Sequence, residues 1–396
     1  MRPALKLLAE RIFPLGIPIA WRQLTSERKR FISAVAGIAF AVTMMLFQLG
    51  LYDALFKAVV RPHHAMIADL ALISKNYVSL ADSDTFTRRR LYQVVSDDAV
   101  ESVASIYVGN GAWRNPATME LRQIFILGCR PEEHAFNYPG WTNNPGALKA
   151  ADEVFFDETS FSDYGPVVDR FHRSGLVETE LEGMRVRVTG LFDMGRTFAA
   201  DGNVIMGDTA FFRIAKYFPK EMISVGLIRL KPGEDATRTA KRLQQILPND
   251  VRVVTRKEFF EIDRAYWAKR TPIGFVITAS LIVAVIVGAV IMYQILYADV
   301  SDHLPEYATL KGIGFSDRFF MNLILQQSVM LSFCGFLPGL LLSAGLYRIT
   351  QSMAHLPTEL NTSRALISFL LTTGMCAAGG ALAARKLSSA NPADLF

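Results

Sequence analysis

The stretch "FISAVAGIAFAVTMMLFQLGL", residues 31–51, contains no charged residue and no histidine. A helix of roughly 20 apolar residues crosses the ~30 Å hydrocarbon core of a bilayer, so this stretch is long enough to span a membrane. Three further uncharged apolar stretches lie in the second half of the chain, at residues 271–298, 319–347 and 365–384. The sequence therefore predicts four transmembrane helices, with about 210 residues inserted between the first and the second.

The basic segment before the first stretch predicts the orientation. Residues 1–30 carry seven Lys or Arg residues against two Glu residues, and such an excess favours the cytoplasmic side. Four spans then return the C-terminus to the cytoplasm. A signal peptide is the alternative, but its apolar run is typically only about 7–15 residues long. We expect a retained helix and an amphipathic segment that binds the lipid membrane, with no nucleic acid.

The inserted residues have the pattern of a folded domain. Helical patterns at 85–96 and 234–247 lie among partly alternating apolar stretches, which predicts an α+β domain. The flanking segments 53–61 and 256–270 are also helical in pattern and contain no glycine, so we expect both neighbouring spans to continue outside the bilayer as a stalk. The predicted strands are 68–74, 121–128, 153–158, 185–193, 203–207 and 224–231.

Small residues recur four positions apart within the spans. This spacing suits close packing of helices, either within one chain or between two copies. The predicted helix-packing residues are Gly37, Ala41, Gly335, Gly339, Gly374 and Ala378.

The sequence contains no clear arrangement of residues for catalysis, nucleotide binding or ion coupling. The spans lack the ionisable groups that ion-coupled transporters use, and no phosphate-binding G-x-x-x-x-G-K-[ST] loop is present. We therefore predict a non-catalytic chain without a cofactor, with any ATP bound by a partner chain. His63 and His64 are a poor metal site and are interpreted as a solvated linker. The acidic pairs Asp97-Asp98 and Asp157-Glu158 are interpreted as solvent-facing residues.

Between the second and third spans lies "EYATLKGIGFS", residues 306–316. Pro305 suits an early helical position, and Tyr307, Leu310 and Ile313 recur at three-residue spacing. The segment is predicted to be a short helix with a surface to contact, and a passive turn is the alternative.

Three strings carry a resemblance to a known family: residues 19–56, 154–171 and 188–206 resemble the DevC branch of the FtsX-like permeases, which are ABC transporter subunits of the MacB and LolC type. "EYATLKGIGFS" resembles that family's "EYATLKALG" segment, and "NPADLF" resembles its common ending. The resemblance covers effectively the whole chain. It implies an α-helical membrane protein with four transmembrane helices and a large α+β periplasmic domain inserted between helices 1 and 2, the MacB/FtsX-like permease fold.

The resemblance also implies that the chain is one subunit of a multiprotein assembly. It implies a homodimer in the bacterial inner membrane, a separate ABC ATPase subunit, a periplasmic membrane fusion (adaptor) protein and a TolC-like outer-membrane channel. The implied cargo is a lipid or glycolipid. The alternatives are an FtsX-type regulator that relays the state of the ATPase to a cell-wall hydrolase, and a membrane-bound enzyme. The implied ATPase-coupling residues are Pro305, Glu306, Tyr307, Thr309, Leu310, Lys311 and Gly314.

These inferences divide the chain into nine consecutive segments. They are a cytoplasmic amphipathic segment (1–30), transmembrane helix 1 with an outward stalk (31–61), the periplasmic α+β domain (62–255), a stalk with transmembrane helix 2 (256–298), the cytoplasmic coupling segment (299–318), transmembrane helix 3 (319–347), a short periplasmic loop (348–364), transmembrane helix 4 (365–384) and a cytoplasmic tail (385–396).

Overall fold

A computed structural model describes residues 21, 24–138, 147–195, 201–302, 309, 316–354 and 361–389. The chain divides into two compact units. The membrane unit comprises residues Met1–Ala54 and Phe275–Phe396, and the insert unit comprises Leu55–Gly274.

Within the described residues, four helices are long and apolar enough to cross a membrane. The first, α1, is one uninterrupted helix of 38 residues. At 1.5 Å per residue it is about 57 Å long, well beyond the thickness of the hydrocarbon core. The four long helices are α1 (Arg28–Ala65), α7 (Pro272–Asp302), α8 (Asp317–Ala354) and α9 (Thr362–Ser389).

The segment before α7 forms a separate helix, α6 (Arg256–Lys269), where a single continuous helix was expected. Pro272 explains the interruption, because proline has no N–H to donate and disfavours the α conformation of the residue before it. The first residue of α6 follows Thr255, whose hydroxyl accepts a hydrogen bond from the Glu258 amide at 3.3 Å. The Glu258 carboxylate accepts one from the Thr255 amide at 2.8 Å, which completes a capping box.

The insert unit contains a nine-stranded sheet in the order β11-β1-β10-β3-β4-β8-β5-β7-β6, with β2 and β9 paired separately. The six predicted strands are confirmed as β1, β4, β5, β7, β8 and β10, and the helix predicted at 234–247 is confirmed as α5. The strands are β1 (Leu70–Ser74), β2 (Phe86–Thr87), β3 (Val100–Arg114), β4 (Leu121–Cys129), β5 (Glu153–Asp157), β6 (Val177–Leu181), β7 (Met184–Phe192), β8 (Asn203–Gly207), β9 (Met222–Ile223), β10 (Val225–Leu230) and β11 (Val251–Thr255). The shorter helices are α2 (Arg89–Val94), α3 (Val167–Ser174), α4 (Asp208–Ile214) and α5 (Ala236–Ile246).

Strand β3 takes part in both halves of this sheet. Its first half pairs with β10, and its second half pairs with β4. Near its end, Trp113 pairs with Leu181 of β6, so six strands from β3 round to β6 close into a ring. The Trp113 indole N–H donates to the Tyr164 carbonyl at 3.1 Å, which satisfies the one polar atom of this fully buried side chain.

Both faces of the sheet are covered, because side chains alternate along each strand. Along β1, Leu70 and Leu72 belong to one apolar cluster, whereas Ala71 and Ile73 belong to another. All five residues of β1 are buried, as expected for a strand with material packed on both faces. The insert unit therefore has a core large enough to hold its fold without a disulfide, and Cys129, a free thiol, lies buried within it.

Candidate functional site

The predicted coupling segment lies between α7 and α8. Thr309 is helical and exposed. The remaining six of the seven predicted residues lie outside the described residues: Pro305, Glu306, Tyr307, Leu310, Lys311 and Gly314.

An ion pair lies at the end of α7 from which the coupling segment continues. Asp302, the last residue of α7, contacts Arg30 in the first turn of α1. The same guanidinium lies 3.2 Å from the Glu27 carboxylate. These side chains are partly exposed, and such pairs contribute at most about 1 kcal/mol each. The pair joins the first turn of α1 to the last residue of α7.

Helices α1 and α8 approach closely where α8 has glycine. A Cβ atom added at Gly339 would lie 2.8 Å from the carbonyl oxygen of Ala39, and one added at Gly335 would overlap Ile38. The Thr43 hydroxyl adds a hydrogen bond across this contact, to the Gly339 carbonyl at 3.2 Å. The absence of side chains on α8 therefore allows backbone-to-backbone packing of the two spans.

The predicted pair on α1, Gly37 and Ala41, contacts α7. A Cβ atom on Gly37 would lie 2.9 Å from Ile295 Cδ1, and one on Gly288 would lie 3.3 Å from Ala41 Cβ. One side of α1 thus packs on α8 and another on α7.

On α9, the predicted pair, Gly374 and Ala378, does not make the closest contacts with other helices. A Cβ atom added at Gly374 meets nothing within 4 Å among the described atoms, and both Gly374 and Ala378 line an apolar groove beside α7. The tight contacts are made by Gly379, which faces the Tyr293 backbone of α7 at 3.3 Å, and by Gly380, which abuts Ser328 of α8. The four-residue spacing rule missed them, because two adjacent glycines here face two different helices.

The opposite ends of the spans carry polar contacts that no sequence pattern predicted. Arg364 at the start of α9 is ion-paired with Asp53 of α1. The Tyr347 hydroxyl of α8 donates to the carbonyl oxygen of Leu46, and its ring lies against Gly50. These contacts join α1 to both α8 and α9. The only signal in the sequence is that Asp53 and Arg364 are the charges that flank two apolar stretches.

Asp157 is fully buried in the insert unit, so the interpretation of this residue as solvent-facing was wrong. Its carboxylate accepts hydrogen bonds from the Thr159 hydroxyl at 2.6 Å, the Thr159 amide at 3.0 Å and the Asn203 side-chain amide at 2.6 Å. Asn203 also donates to the Gly195 carbonyl at 3.0 Å. Burial raises the pKa of Asp157, and these donors act against that rise. The cluster joins the ends of β5 and β7 to the start of β8.

The interpretation of His63 and His64 as a solvated linker was also wrong for His63. The His63 imidazole is fully buried and lies against Phe259 of α6, with ring centroids 4.5 Å apart. His64 is exposed, and its backbone carbonyl accepts a hydrogen bond from Arg256 at 3.1 Å. Within the described part of the chain, no group of three or more His, Cys, Asp or Glu residues is placed to hold a metal ion.

Two family profiles together match most of the chain. The MacB-like periplasmic core domain matches residues 31–246, and the FtsX-like permease C-terminal domain matches residues 278–392. The chain belongs to the FtsX/MacB-type permease family. It is therefore a membrane protein with a periplasmic domain, and the predicted MacB/FtsX-like fold is confirmed. Permeases of this family are components of ABC-type transport systems and work with ABC ATPase partners.

Similar solved structures each cover about half of the chain. The periplasmic region of MacB from Actinobacillus actinomycetemcomitans is 9% identical, with a TM-score of 0.36, and the match covers 50% of this chain and 92% of that one. The extracellular domain of the noncanonic ABC-type transporter YknZ from Gram-positive bacteria is 12% identical, with a TM-score of 0.31 and coverage of 48% and 99%. A domain of a permease protein from Porphyromonas gingivalis is 11% identical, with a TM-score of 0.30 and coverage of 48% and 90%. No curated protein sequence matches the chain.

Proposed function

We propose that this permease is the transmembrane subunit of an ATP-driven tripartite export system. It passes the conformational change of a partner ATPase to its periplasmic domain, and cargo moves across the envelope from the periplasm. The observation that carries this proposal is the match of two permease-family profiles to residues 31–246 and 278–392, because permeases of this family work with ABC ATPase partners.

The packing of the spans supports a mechanical role. Close glycine contacts hold α1 against both α7 and α8, and charged or polar contacts join the helix ends on each side of the membrane unit. The apolar stretches carry no ionisable side chain that would bind a coupling ion. Densely packed, uncharged helices are suited to moving as a body rather than to opening an ion pathway.

The coupling segment is proposed as the surface that receives the movement of the ATPase. Replacing Glu306, Tyr307 and Leu310 together with alanine is expected to abolish stimulation of the partner ATPase by the permease. Membrane insertion should be intact, because none of the three lies within an apolar stretch. The measurement is ATP hydrolysis by the purified ATPase with the variant or the native permease in lipid nanodiscs.

A matched control is Lys216→Ala, Tyr217→Ala and Lys220→Ala together, three exposed residues of the insert unit. This control variant should stimulate the ATPase as the native permease does. Stimulation that survives the triple substitution at the native level would rule out the proposed role of residues 305–314.

The proposed partners are a second copy of the chain in a homodimer, a periplasmic adaptor and a TolC-like channel. The proposed cargo is a lipid or glycolipid. These follow from the DevC-like strings at 19–56, 154–171 and 188–206. Crosslinking in intact cells followed by purification tests the assembly. Recovery of an adaptor with an outer-membrane channel supports export, whereas recovery of a cell-wall hydrolase in their place would favour the regulatory alternative.

The proposed orientation places both termini in the cytoplasm, and cysteine labelling tests it. Cys129 is unsuitable as a reporter, because it is buried and burial raises the pKa of its thiol well above the ordinary value. Tyr217 is fully exposed in the insert unit, so Tyr217→Cys is the better site. In a chain whose native cysteines are replaced by alanine, we expect an impermeant maleimide to label this variant in cells with a permeabilised outer membrane.

The matched variant is Lys29→Cys, which is exposed just before the first apolar stretch. It should react only after the inner membrane is disrupted. The reverse pattern of labelling would overturn the proposed orientation.

A further inference from the structure

The nine-stranded sheet of the insert unit has an open edge at β11. At the other end of the strand order, β6 pairs back onto β3 through Leu181 and Trp113. Within the described residues, β11 pairs with β1 and with no other strand. An edge strand presents backbone N–H and C=O groups to which another strand can pair. The outer side of β11 is therefore a place where a further chain is able to join the sheet.

The direction of the backbone groups along β11 decides which of them face outward. The Arg256 amide, just after β11, donates to the Asp69 carbonyl, just before β1, at 2.9 Å. In an antiparallel pair, successive residues direct their backbone groups alternately to the neighbouring strand and away from it. The residues that face away from β1 are therefore Val251, Val253 and Thr255.

Side chains of two helices bind these outward groups. The Gln244 side-chain amide of α5 donates from Nε2 to the Val251 carbonyl at 3.1 Å, and its Oε1 accepts from the Val253 amide at 2.8 Å. These two bonds use the donor and the acceptor of one amide, as a peptide group of a neighbouring strand would. On α6, the Glu258 carboxylate accepts from the Thr255 amide at 2.8 Å. Together the two side chains take the place that a tenth strand would occupy.

The packing of α5 holds Gln244 at this edge. Leu243 of α5 and Leu247, which follows the helix, belong to the same buried apolar cluster as Val251 and Val253. The helix therefore covers one face of β11. Successive residues of a helix are about 100° apart, so the residue after Leu243 is turned from the face of the sheet towards its edge. The apolar core thus fixes the position of the Gln244 amide.

We propose that Gln244 keeps the β11 edge from pairing with a second copy of the chain. The strand Val251–Thr255 has four β-branched residues in five, a composition that favours strand pairing. Its three outward residues are centred on Val253, so two copies can pair antiparallel about a two-fold axis at that residue, each supplying the donors and acceptors that the other needs. The proposal does not depend on the cargo, on the ATPase or on the oligomeric state of the native chain.

The test is Gln244→Ala in the full-length chain in detergent, compared with the native chain at each protein concentration. Light scattering should show a mass that grows with concentration in the variant and not in the native chain. Hydrogen–deuterium exchange at the Val253 amide gives a second reading. At low concentration its protection should fall about two- to tenfold, as expected for one lost hydrogen bond. Protection should return as concentration rises, because a second copy then supplies the acceptor. Unchanged protection of β8 shows that the core is intact.

Two further variants separate pairing at the edge from a general loss of stability. Gln245→Ala removes the exposed neighbour of the same residue type on the same helix, and it should change neither the mass nor the protection at Val253. Gln244→Lys removes the acceptor for Val253, as alanine does, but places a charge at the edge, and charged side chains oppose strand addition. Its protection at Val253 should fall, whereas its mass should stay that of the native chain.

Crosslinking identifies the partner. Lys257 is exposed and lies two residues after β11, so in a mixture of nitrogen-15-labelled and unlabelled Gln244→Ala chains an amine crosslinker should join Lys257 of two copies. A larger species without that crosslink, or one that contains a different protein, would contradict pairing through β11. A mass for Gln244→Ala that equals the native mass at every concentration, equal growth in either control variant, or unchanged protection at Val253 would overturn the proposal.

Discussion

Replacing Asp157 with alanine should lower the free energy of unfolding of the periplasmic domain by about 3 kcal/mol or more. The substitution leaves the Thr159 hydroxyl, the Thr159 amide and the Asn203 side chain without the acceptor they share. Each buried donor that loses its partner costs about 1–3 kcal/mol. Pulse proteolysis of the full-length permease in increasing urea, following cleavage within residues 62–255, measures the change.

Asp163→Ala is the matched control. The Asp163 carboxylate lies 3.1 Å from Arg122, but both side chains are about half exposed, and such surface pairs contribute at most about 1 kcal/mol. Equal effects of the two substitutions would show that the Asp157 hydrogen bonds contribute little to stability.

Asp157→Asn should be milder than alanine and should also change the dependence of stability on pH. Burial raises the pKa of Asp157, so the folded state holds its proton to higher pH than the unfolded state does. Over the interval between the two pKa values, stability contributed by this group falls as pH rises. Asparagine cannot titrate, so this part of the pH dependence should disappear from the urea midpoints.

Adding one methyl group at Gly339 should destabilise the membrane unit. The new Cβ atom of Gly339→Ala would lie 2.8 Å from the Ala39 carbonyl oxygen and from Val42 Cβ. A backbone oxygen cannot move aside as a flexible side chain does, so α1 and α8 must separate. Overpacking of this kind costs about 1–3 kcal/mol, and the Thr43 hydrogen bond to Gly339 lengthens with it. Thermal unfolding of the purified permease in detergent should show a lower midpoint.

Gly345→Ala is the control on the same helix. Nothing described lies within 4 Å of a Cβ atom there, and alanine has the higher helix propensity, so its midpoint should be unchanged or slightly raised. Equal loss of stability in the two variants would show that helix propensity, rather than contact with α1, determines the result.

The sequence predicted best those features that depend on long, uniform patterns. Uncharged stretches predicted the four long helices, and partly alternating apolar stretches, of which β7 is the clearest, predicted six strands of the sheet. It failed where local signals oppose the tertiary structure. Strand β3 contains Gly109, Asn110 and Gly111, which resemble a turn, yet these residues continue the strand. In the fold, Gly109 lies beneath Phe211, and a Cβ atom on Gly111 would press on Ile126 at 2.9 Å.

The sequence also failed to predict which polar side chains are buried. Asp157 and His63 each stand beside a second residue of the same type or charge, and this pattern is usual at a surface. Their partners, Asn203 and Asp263, lie 46 and 200 positions away in the chain, and no local pattern connects them. The contact of the candidate coupling residues with an ATPase was inferred by resemblance, because the three-residue spacing of Tyr307, Leu310 and Ile313 indicates a helix but not what that helix contacts.

The shared strand β3 has a consequence for how the periplasmic domain responds to force. Its residues Val100–Ile106 are hydrogen-bonded into one half of the sheet, and Ile106–Arg114 into the ring that Trp113 and Leu181 close. Because β3 belongs to both halves, one half cannot slide past the other along a boundary between strands. A pull on the half nearest the stalk reaches the ring along β3 and along the segment that runs from β8 through α4 and β9 to β10, and a change in the angle between the halves bends β3. The glycines at 109 and 111, which made this strand hard to recognise, are the residues at which such bending meets the least resistance.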